Sequence, residues 1–177
     1  MPPPVHPWFL PDQSQKFIVD ELERQTDRGA GIIGAAFIES LLLQALKSRM
    51  RLNTPDDKEA AKGLLMRSLR TFSPKIDLGL VLGLYRSEVW KDLHNIRNIR
   101  NEFAHDIEPR DFNFQEIRDA CAKFWLPHHL FIVATDMGTY AYPSDARGRY
   151  ILTIRLLIAE LHRAAITPQM PPDPLWG

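Results

Sequence analysis

Apolar and polar residues follow a helical period along almost the whole chain. Apolar positions recur three or four residues apart, and strict alternation of period two never extends beyond a few residues. Residues typical of helix starts and helix ends divide this pattern into segments of ordinary helical length. The sequence therefore predicts an all-α fold, a single helical bundle of six or seven helices.

Local signals give approximate limits for these helices. The first is predicted to begin at Asp12 or Ser14 and to end near Thr26. The second, capped by Asp27, extends to about Met50 and is apolar around much of its circumference, which favours a central position. Further helices are predicted from Thr54 to about Arg70, Pro74 to about Leu82, Ser87 to a point before Pro109, Asp111 to Trp125, and Ser144 to about Ile166.

Three positions carry the clearest start and stop signals. Thr54 can cap a helix whose first residue is a proline and whose first turn contains acids. Gly83 is predicted to end the helix that precedes it. Pro127 is predicted to break or kink the helix that begins at Asp111.

Proline-rich segments lie at both ends of the predicted bundle. Residues 1–11 contain five prolines and residues 167–177 contain four. Proline at this density does not form a helix, so these segments are predicted to be tails. The expected organisation is a tail at 1–11, a helical bundle domain at 12–166 and a second tail at 167–177.

Charge and cysteine content narrow the class of protein. The formal net charge is zero, which counts against a free-standing protein that coats DNA or RNA. The single cysteine, Cys121, excludes an internal disulfide and fits a reducing compartment. No signal-peptide pattern and no uninterrupted apolar run of about 18 residues is present. We expect a cytoplasmic protein that does not bind membranes.

The stretch from Ser87 to Asp106 has two distinct faces. When its residues are placed at helical steps of about 100°, one arc faces the core. This arc contains Val89, Leu93, Ile96, Phe103 and Ala104. A neighbouring, wholly polar stripe about 60° wide contains His94, Asn98, Asn101 and His105.

Arg100 falls inside the apolar arc, and Arg97 lies between the two stripes. A guanidinium among apolar neighbours needs a partner, because an unpaired buried charge is costly. Glu39 of the second helix is expected to be partly buried and paired with Arg97 or Arg100. Asp77 is a second candidate partner for Arg100, and a solvated Glu39 on the outer face is the alternative.

Arg100 and His105 are also candidates for metal-free RNA cleavage. The histidine would move a proton to or from the reacting oxygens, and the arginine would stabilise charge on the phosphate. Asn101 could orient His105. However, the two side chains lie about 140° apart on an ideal helix, so they converge only if the helix ends early or a second subunit contributes. Arg97 is closer to His105, and ordinary ion pairing and helix-dipole contacts explain the same residues without catalysis.

The sequence contains no metal or cofactor signature. His128 and His129 are adjacent and point in different directions on a helix, and no zinc-protease pattern or glycine-rich phosphate loop is present. Cys121 lies on an apolar stripe and is expected in the core. The cluster of Arg67, Arg70 and Lys75 is typical of a solvated face.

Several motifs together resemble the mannitol operon repressor (MltR-like) family. They are TFSPKIDL at 71–78, LGL at 82–84, DL at 92–93 and IRNIRNEFAH at 96–105, together with GAAFIE at 34–39. The resemblance covers about half of the chain. It implies an all-α transcriptional regulator of the repressor type that acts through protein partners and lacks an obvious DNA-reading module.

The segment from Arg100 to His105 also resembles the HEPN superfamily of helical bundles. Active members of that superfamily are dimeric, metal-independent ribonucleases. The resemblance implies catalytic roles for Arg100 and His105, with Asn101 as the polar residue that follows the arginine.

Three hypotheses follow. The first is a non-catalytic, MltR-like regulator that binds a protein partner or regulatory complex without specific DNA binding of its own. The second is a HEPN-type endoribonuclease that takes RNA as substrate. The third is an oligomerisation module in which Arg100 is buried. We expect a homodimer and no cofactor.

Overall fold

A computed structural model describes residues 13–50, 54–105, 110–129 and 142–166. Every regular element in these ranges is a helix, so the predicted all-α class and helical bundle are confirmed. Both predicted proline-rich tails lie outside the described residues.

The helices follow one another with short connections. In chain order they are α1 (Gln13–Arg24), α2 (Asp27–Ser48), α3 (Pro55–Arg67), α4 (Phe72–Val81), α5 (Ser87–His105), α6 (Gln115–Ala122) and α7 (Ala146–Ile166). Residues 125–129 form a further helical stretch between α6 and α7.

Local capping chemistry explains several of these limits. Thr26, rather than Asp27, caps α2, and its hydroxyl accepts the backbone N–H of Gly29 at 3.1 Å. Thr54 and Asp57 form a reciprocal capping box at the start of α3, as the Thr54-Pro55 signal predicts. Gly83 adopts a φ of 66° just after α4, a backbone conformation that glycine tolerates without strain.

Helix α2 lies at the centre of the bundle and packs against α1, α4, α5 and α7. Small residues allow this close packing: a Cβ atom on Gly31 would overlap the ring of Phe103 from α5. Among the described helices, α2 is long and apolar enough to cross a membrane. A helix at the centre of a bundle can have the same length and composition as a membrane-spanning helix. Eight residues of α2 are buried in this bundle.

Helix α7 is joined to α2 and to the connection between α1 and α2 by polar contacts. The hydroxyl of Tyr150, which is fully buried, donates to the carbonyl oxygen of Gly31 at 2.8 Å. The Arg147 guanidinium pairs with the Asp27 carboxylate and donates to the Gln25 carbonyl oxygen at 2.7 Å. These bonds fix the turn that leads into the central helix.

The single helix predicted from Asp111 to Trp125 is wrong. The structure has α6, then a turn at Lys123 and Phe124, then the helical stretch at 125–129. Pro127 therefore lies in the first turn of a new helix. The missing N–H of proline costs little there, because the first N–H groups of a helix have no intrahelical acceptor.

Helix α3 is packed differently from the others, since none of its residues is buried. Leu64 is 40% exposed and Met66 is 67% exposed. Ala60, Leu64 and Leu65 follow a helical period, yet the described part of the bundle fully buries none of them. Its N-terminal capping box satisfies backbone N–H groups in the first turn of the helix.

Candidate functional site on α4 and α5

The buried face of α5 is displaced from the predicted arc. The residues that it buries are Val89, Asp92, Leu93, Ile96, Ile99 and Phe103. Ala104 is exposed and Arg100 is only partly buried. Near its C-terminal end, α5 therefore packs against the bundle with the side that carries Ile99 and Phe103. Arg100 lies at the edge of this buried face.

The predicted arginine partner of Glu39 is wrong. Lys75, on α4, forms the ion pair with Glu39, and the Lys75 side chain is 8% exposed while that of Glu39 is 22% exposed. Helix α4 packs against both α2 and α5, so the ammonium group of Lys75 reaches the central helix α2. Lys75 is thus a buried cation and not part of a solvated basic face.

No carboxylate lies within ion-pair distance of Arg100 among the described residues. Its guanidinium instead donates to the side-chain oxygen of the next residue, Asn101, at 3.4 Å. The expectation that Arg100 pairs with Glu39 or Asp77 is therefore wrong. A position at the edge of the buried face lets solvent replace the missing acid.

Asp77, Trp90 and His94 form a hydrogen-bonded cluster between α4 and α5. One oxygen of the Asp77 carboxylate accepts the indole N–H of Trp90 at 2.9 Å and contacts Nε2 of His94 at 3.1 Å. The two rings meet edge to face with their centroids 4.6 Å apart. Since a carboxylate only accepts hydrogen bonds, Nε2 carries the hydrogen, and Nδ1 of neutral His94 remains an acceptor.

The hydrogen bonds of this cluster favour an ionised Asp77. The Trp90 N–H, followed by His94 and the charge of Arg97, lowers the pKa of Asp77 against the opposing effect of partial burial. Asp77 remains exposed. The cluster therefore presents a negative charge next to an imidazole on an accessible surface.

The rest of the polar stripe continues along α5. Arg97 donates to the side-chain oxygen of Asn98 at 3.1 Å, and Asn98 is exposed. Asn101 is partly buried beside Arg100, and His105 is exposed at the last residue of the helix. His94, Arg97, Asn98, Asn101 and His105 together with Asp77 are called the α5 polar surface below.

The geometry of α5 keeps Arg100 and His105 apart within one chain. The helix continues through His105, so the two side chains leave the axis about 140° apart. The structure thus brings Asp77 to His94 and Arg97 to Asn98, but it does not bring Arg100 to His105.

Asp92 is the buried acid that the sequence did not single out. It is fully buried on α5, and its two oxygens accept the backbone N–H groups of Trp125 and Leu126, each at 2.8 Å. Burial raises the pKa of Asp92 to about 6, although the two backbone N–H groups act in the opposite direction. Asp92 therefore caps the helical stretch at 125–129 from a different helix.

The sequence analysis did not name Trp90, placed Lys75 on a solvated face and assigned no contact to Asp92. Trp90 had a usable signal, since it lies four residues before His94 on the same helix face. Lys75 and Asp92 had none, because their partners lie 36 and 33 residues away in the sequence. Cys121 is buried as expected, and burial raises its pKa to about 12.

The described residues contain no group of three or more histidine, cysteine or acidic side chains that could hold a metal ion. The accessible polar groups in this region are instead suited to hydrogen bonding and ion pairing with a partner surface.

Comparison with known proteins gives one informative result. No protein-family model and no curated protein sequence matches the chain. A chain in the X-ray structure of the MtlR–HPr complex from Escherichia coli has a similar fold, with a TM-score of 0.66 and 17% identity. The match covers 85% of this chain and 99% of that chain. The protein therefore has an MtlR-like helical fold.

Proposed function

We propose that this protein is a cytoplasmic, MtlR-like transcriptional regulator of the repressor type that acts by binding a protein partner. The observation that carries the proposal is the fold likeness to a chain from the MtlR–HPr complex, which extends over nearly all of that chain. HPr is accordingly the first partner to test. The sequence motifs that resemble the mannitol operon repressor family support the same assignment.

We assign partner binding to the α5 polar surface. Asp77 and His94 offer an acid and an imidazole, while Arg97 offers a cation with a single neutral hydrogen-bond partner, Asn98, among the described contacts. A surface that carries both positive and negative groups is specific for a partner with the complementary arrangement of charges. Glu39 and Lys75 lie behind it as an ion pair that positions α4 against α2.

The proposal excludes tight DNA binding by the protein alone. The formal net charge of zero gives no general attraction to phosphates. A gel shift at low salt with the promoter DNA of the neighbouring genes tests this point. We expect no sequence-dependent shift, and nanomolar sequence-dependent binding by the purified protein would contradict the proposal.

A metal-independent, HEPN-type endoribonuclease is the second candidate. The observation that favours it is Arg100, a partly exposed cation without an ion-pair partner among the described residues, close in sequence to an exposed His105. Their separation on α5 requires a dimer, in which Arg100 of one subunit and His105 of the other would face the same phosphate. His105 would take the proton from the 2′-hydroxyl as that oxygen attacks phosphorus. The bond from phosphorus to the 5′-oxygen breaks, the 5′-oxygen leaves with a proton from water, and a 2′,3′-cyclic phosphate forms, while Arg100 would stabilise the charge on the phosphate.

RNA cleavage in EDTA distinguishes this candidate from the first. The regulator proposal expects no cleavage above background by the wild-type protein. The nuclease proposal expects cleavage that His105→Ala and Arg100→Ala abolish, while Lys123→Ala, a change at an exposed cation outside α5, leaves it intact.

A further inference from the structure

A cleft lined by cations lies between α3 and the rest of the bundle, and no residue of the α5 polar surface is among its described lining residues. Its volume is about 630 Å³. Helices α2, α3 and α4 and the segment between α3 and α4 contribute its lining. The floor is apolar and includes Leu43, Met50, Leu65, Met66 and Leu69.

The charge of this cleft has one sign. Its charged lining residues are Lys47, Lys58, Lys62, Arg70 and Lys75, and none of the described residues that line it is a carboxylate. Lys75 is neutralised by Glu39. The other four have no ion-pair partner among the described residues. A protein with a formal net charge of zero therefore concentrates unpaired cations around one apolar groove.

Helix α3 forms the outer wall of this cleft. It contributes both lysines and apolar side chains to the lining. Lys58 and Lys62 are one turn apart and share a face, and Ala61 and Leu65 share the adjacent face. Because α3 buries no residue, its apolar side chains are available to another molecule. The groove between α2 and α3 can therefore accept an apolar surface from another molecule.

We propose that this cleft docks an acidic amphipathic helix from a partner protein. Apolar side chains three and four residues apart on that helix would occupy the floor, and its flanking glutamates or aspartates would pair with the cations. Charge complementarity selects this occupant. The unpaired cations are distributed over α2, α3 and the segment after α3, which matches repeated carboxylates along a helix better than the single anionic group of a small amphiphile. The inference does not depend on HPr or on the α5 polar surface.

Fluorescence anisotropy with synthetic labelled peptides tests the proposal. The probe is a helical peptide with leucine on one face and glutamate on the other. The comparison peptides replace every glutamate by lysine, or keep the composition and scramble the apolar spacing. Of these peptides, we expect only the acidic amphipathic one to bind saturably. Added salt should weaken this binding, because it screens exposed charges.

Variants at exposed lysines locate the site. Lys58→Glu combined with Lys62→Glu should weaken binding by about tenfold or more. Leu65→Ala should weaken it as well, because the apolar floor contributes to the affinity. Lys91→Glu, the same charge change at an exposed lysine on α5, should leave it unchanged.

Several results would overturn the proposal. They include no binding up to millimolar peptide, equal binding by the Lys58→Glu/Lys62→Glu variant, and equal binding of the scrambled peptide. Duplex DNA that displaces the peptide and loses affinity in the double variant would show a nucleic-acid surface instead. Self-association in sedimentation that the double variant abolishes would show an interface between two copies.

Discussion

The carboxylate of Asp92, in the middle of α5, accepts the backbone N–H of Leu126 at 2.8 Å. The other carboxylate oxygen accepts the N–H of Trp125. An acid inside one helix thus satisfies the first donors of another helical segment, which is the role that a neighbouring serine or threonine plays at most helix starts. The orientation of α5, which buries Asp92, is therefore coupled to the position of the helical stretch at 125–129.

Asp92→Ala should lower the free energy of unfolding by about 1–3 kcal/mol, because it leaves two backbone donors without acceptors at a buried site. Asp92→Asn should cost less, since one oxygen still accepts. Urea denaturation followed by circular dichroism measures both. A matched control is Glu116→Ala on the exposed side of α6, which should stay within about 0.5 kcal/mol of wild type. An equally small effect of Asp92→Ala would contradict the capping role.

The raised pKa of Asp92 predicts a specific pH dependence. The folded protein binds the Asp92 proton up to about pH 6, whereas the unfolded chain releases it near the ordinary aspartate pKa of 3.8. Between these values the folded state holds more protons, so the contribution of Asp92 to stability is greatest below pH 3.8 and falls as the pH rises to about 6. The full loss is about 3 kcal/mol at most.

Denaturation of wild type and Asp92→Asn over this pH range isolates the effect, because the other carboxyl groups titrate alike in both proteins. The stability of wild type relative to the variant should decrease with rising pH and then level off. A difference that is flat, or that rises with pH, would show that Asp92 has an ordinary or lowered pKa in the folded protein.

The ion pair between Glu39 and Lys75 should behave as a coupled unit. Glu39→Ala leaves a buried ammonium without its acid and should cost about 1–3 kcal/mol. Replacing both residues with apolar ones, as in Glu39→Leu with Lys75→Met, should recover most of that loss. Chemical denaturation of Glu39→Leu, Lys75→Met and the double variant measures the coupling. Strictly additive losses would show that the two residues contribute independently.

Two glycine substitutions should change stability in opposite directions. Gly31→Ala places a methyl group against the Phe103 ring and should cost about 1–3 kcal/mol. Gly63→Ala, in the middle of α3, meets only the end of the flexible Arg67 side chain. It should therefore stabilise by about 0.5–1 kcal/mol through helix propensity. Thermal unfolding of both variants checks the contrast, and a stabilising Gly31→Ala would mean that α2 and α5 are not in close contact.

The parts of the fold that could be predicted from the sequence are those set by neighbouring residues. Thr54 with Pro55, Gly83 and Ser87 mark helix limits because capping and backbone conformation act within a few positions. Periodicity also identified α2 as central, since a helix that is apolar on most sides has to be covered.

The contacts that could not be predicted depend on how the helices are arranged in space. Periodicity gave the face of α5 only approximately, so it placed Arg100 in the core and omitted Ile99. The partner of Glu39 proved to be Lys75, because α4 packs against α2 at that level. Asp92 was overlooked because its role depends on donors 33 and 34 residues further along the chain.

Isothermal titration calorimetry with HPr from the same organism tests whether this protein binds HPr through the α5 polar surface. We expect saturable binding to the wild-type protein, weakened by about tenfold when Arg97→Glu changes the α5 polar surface. Lys123→Glu, the same change of charge at an exposed lysine after α6, should bind HPr as wild type does. Binding that responds equally to both substitutions would place the interface elsewhere, and absence of binding at millimolar HPr would contradict the proposed partner.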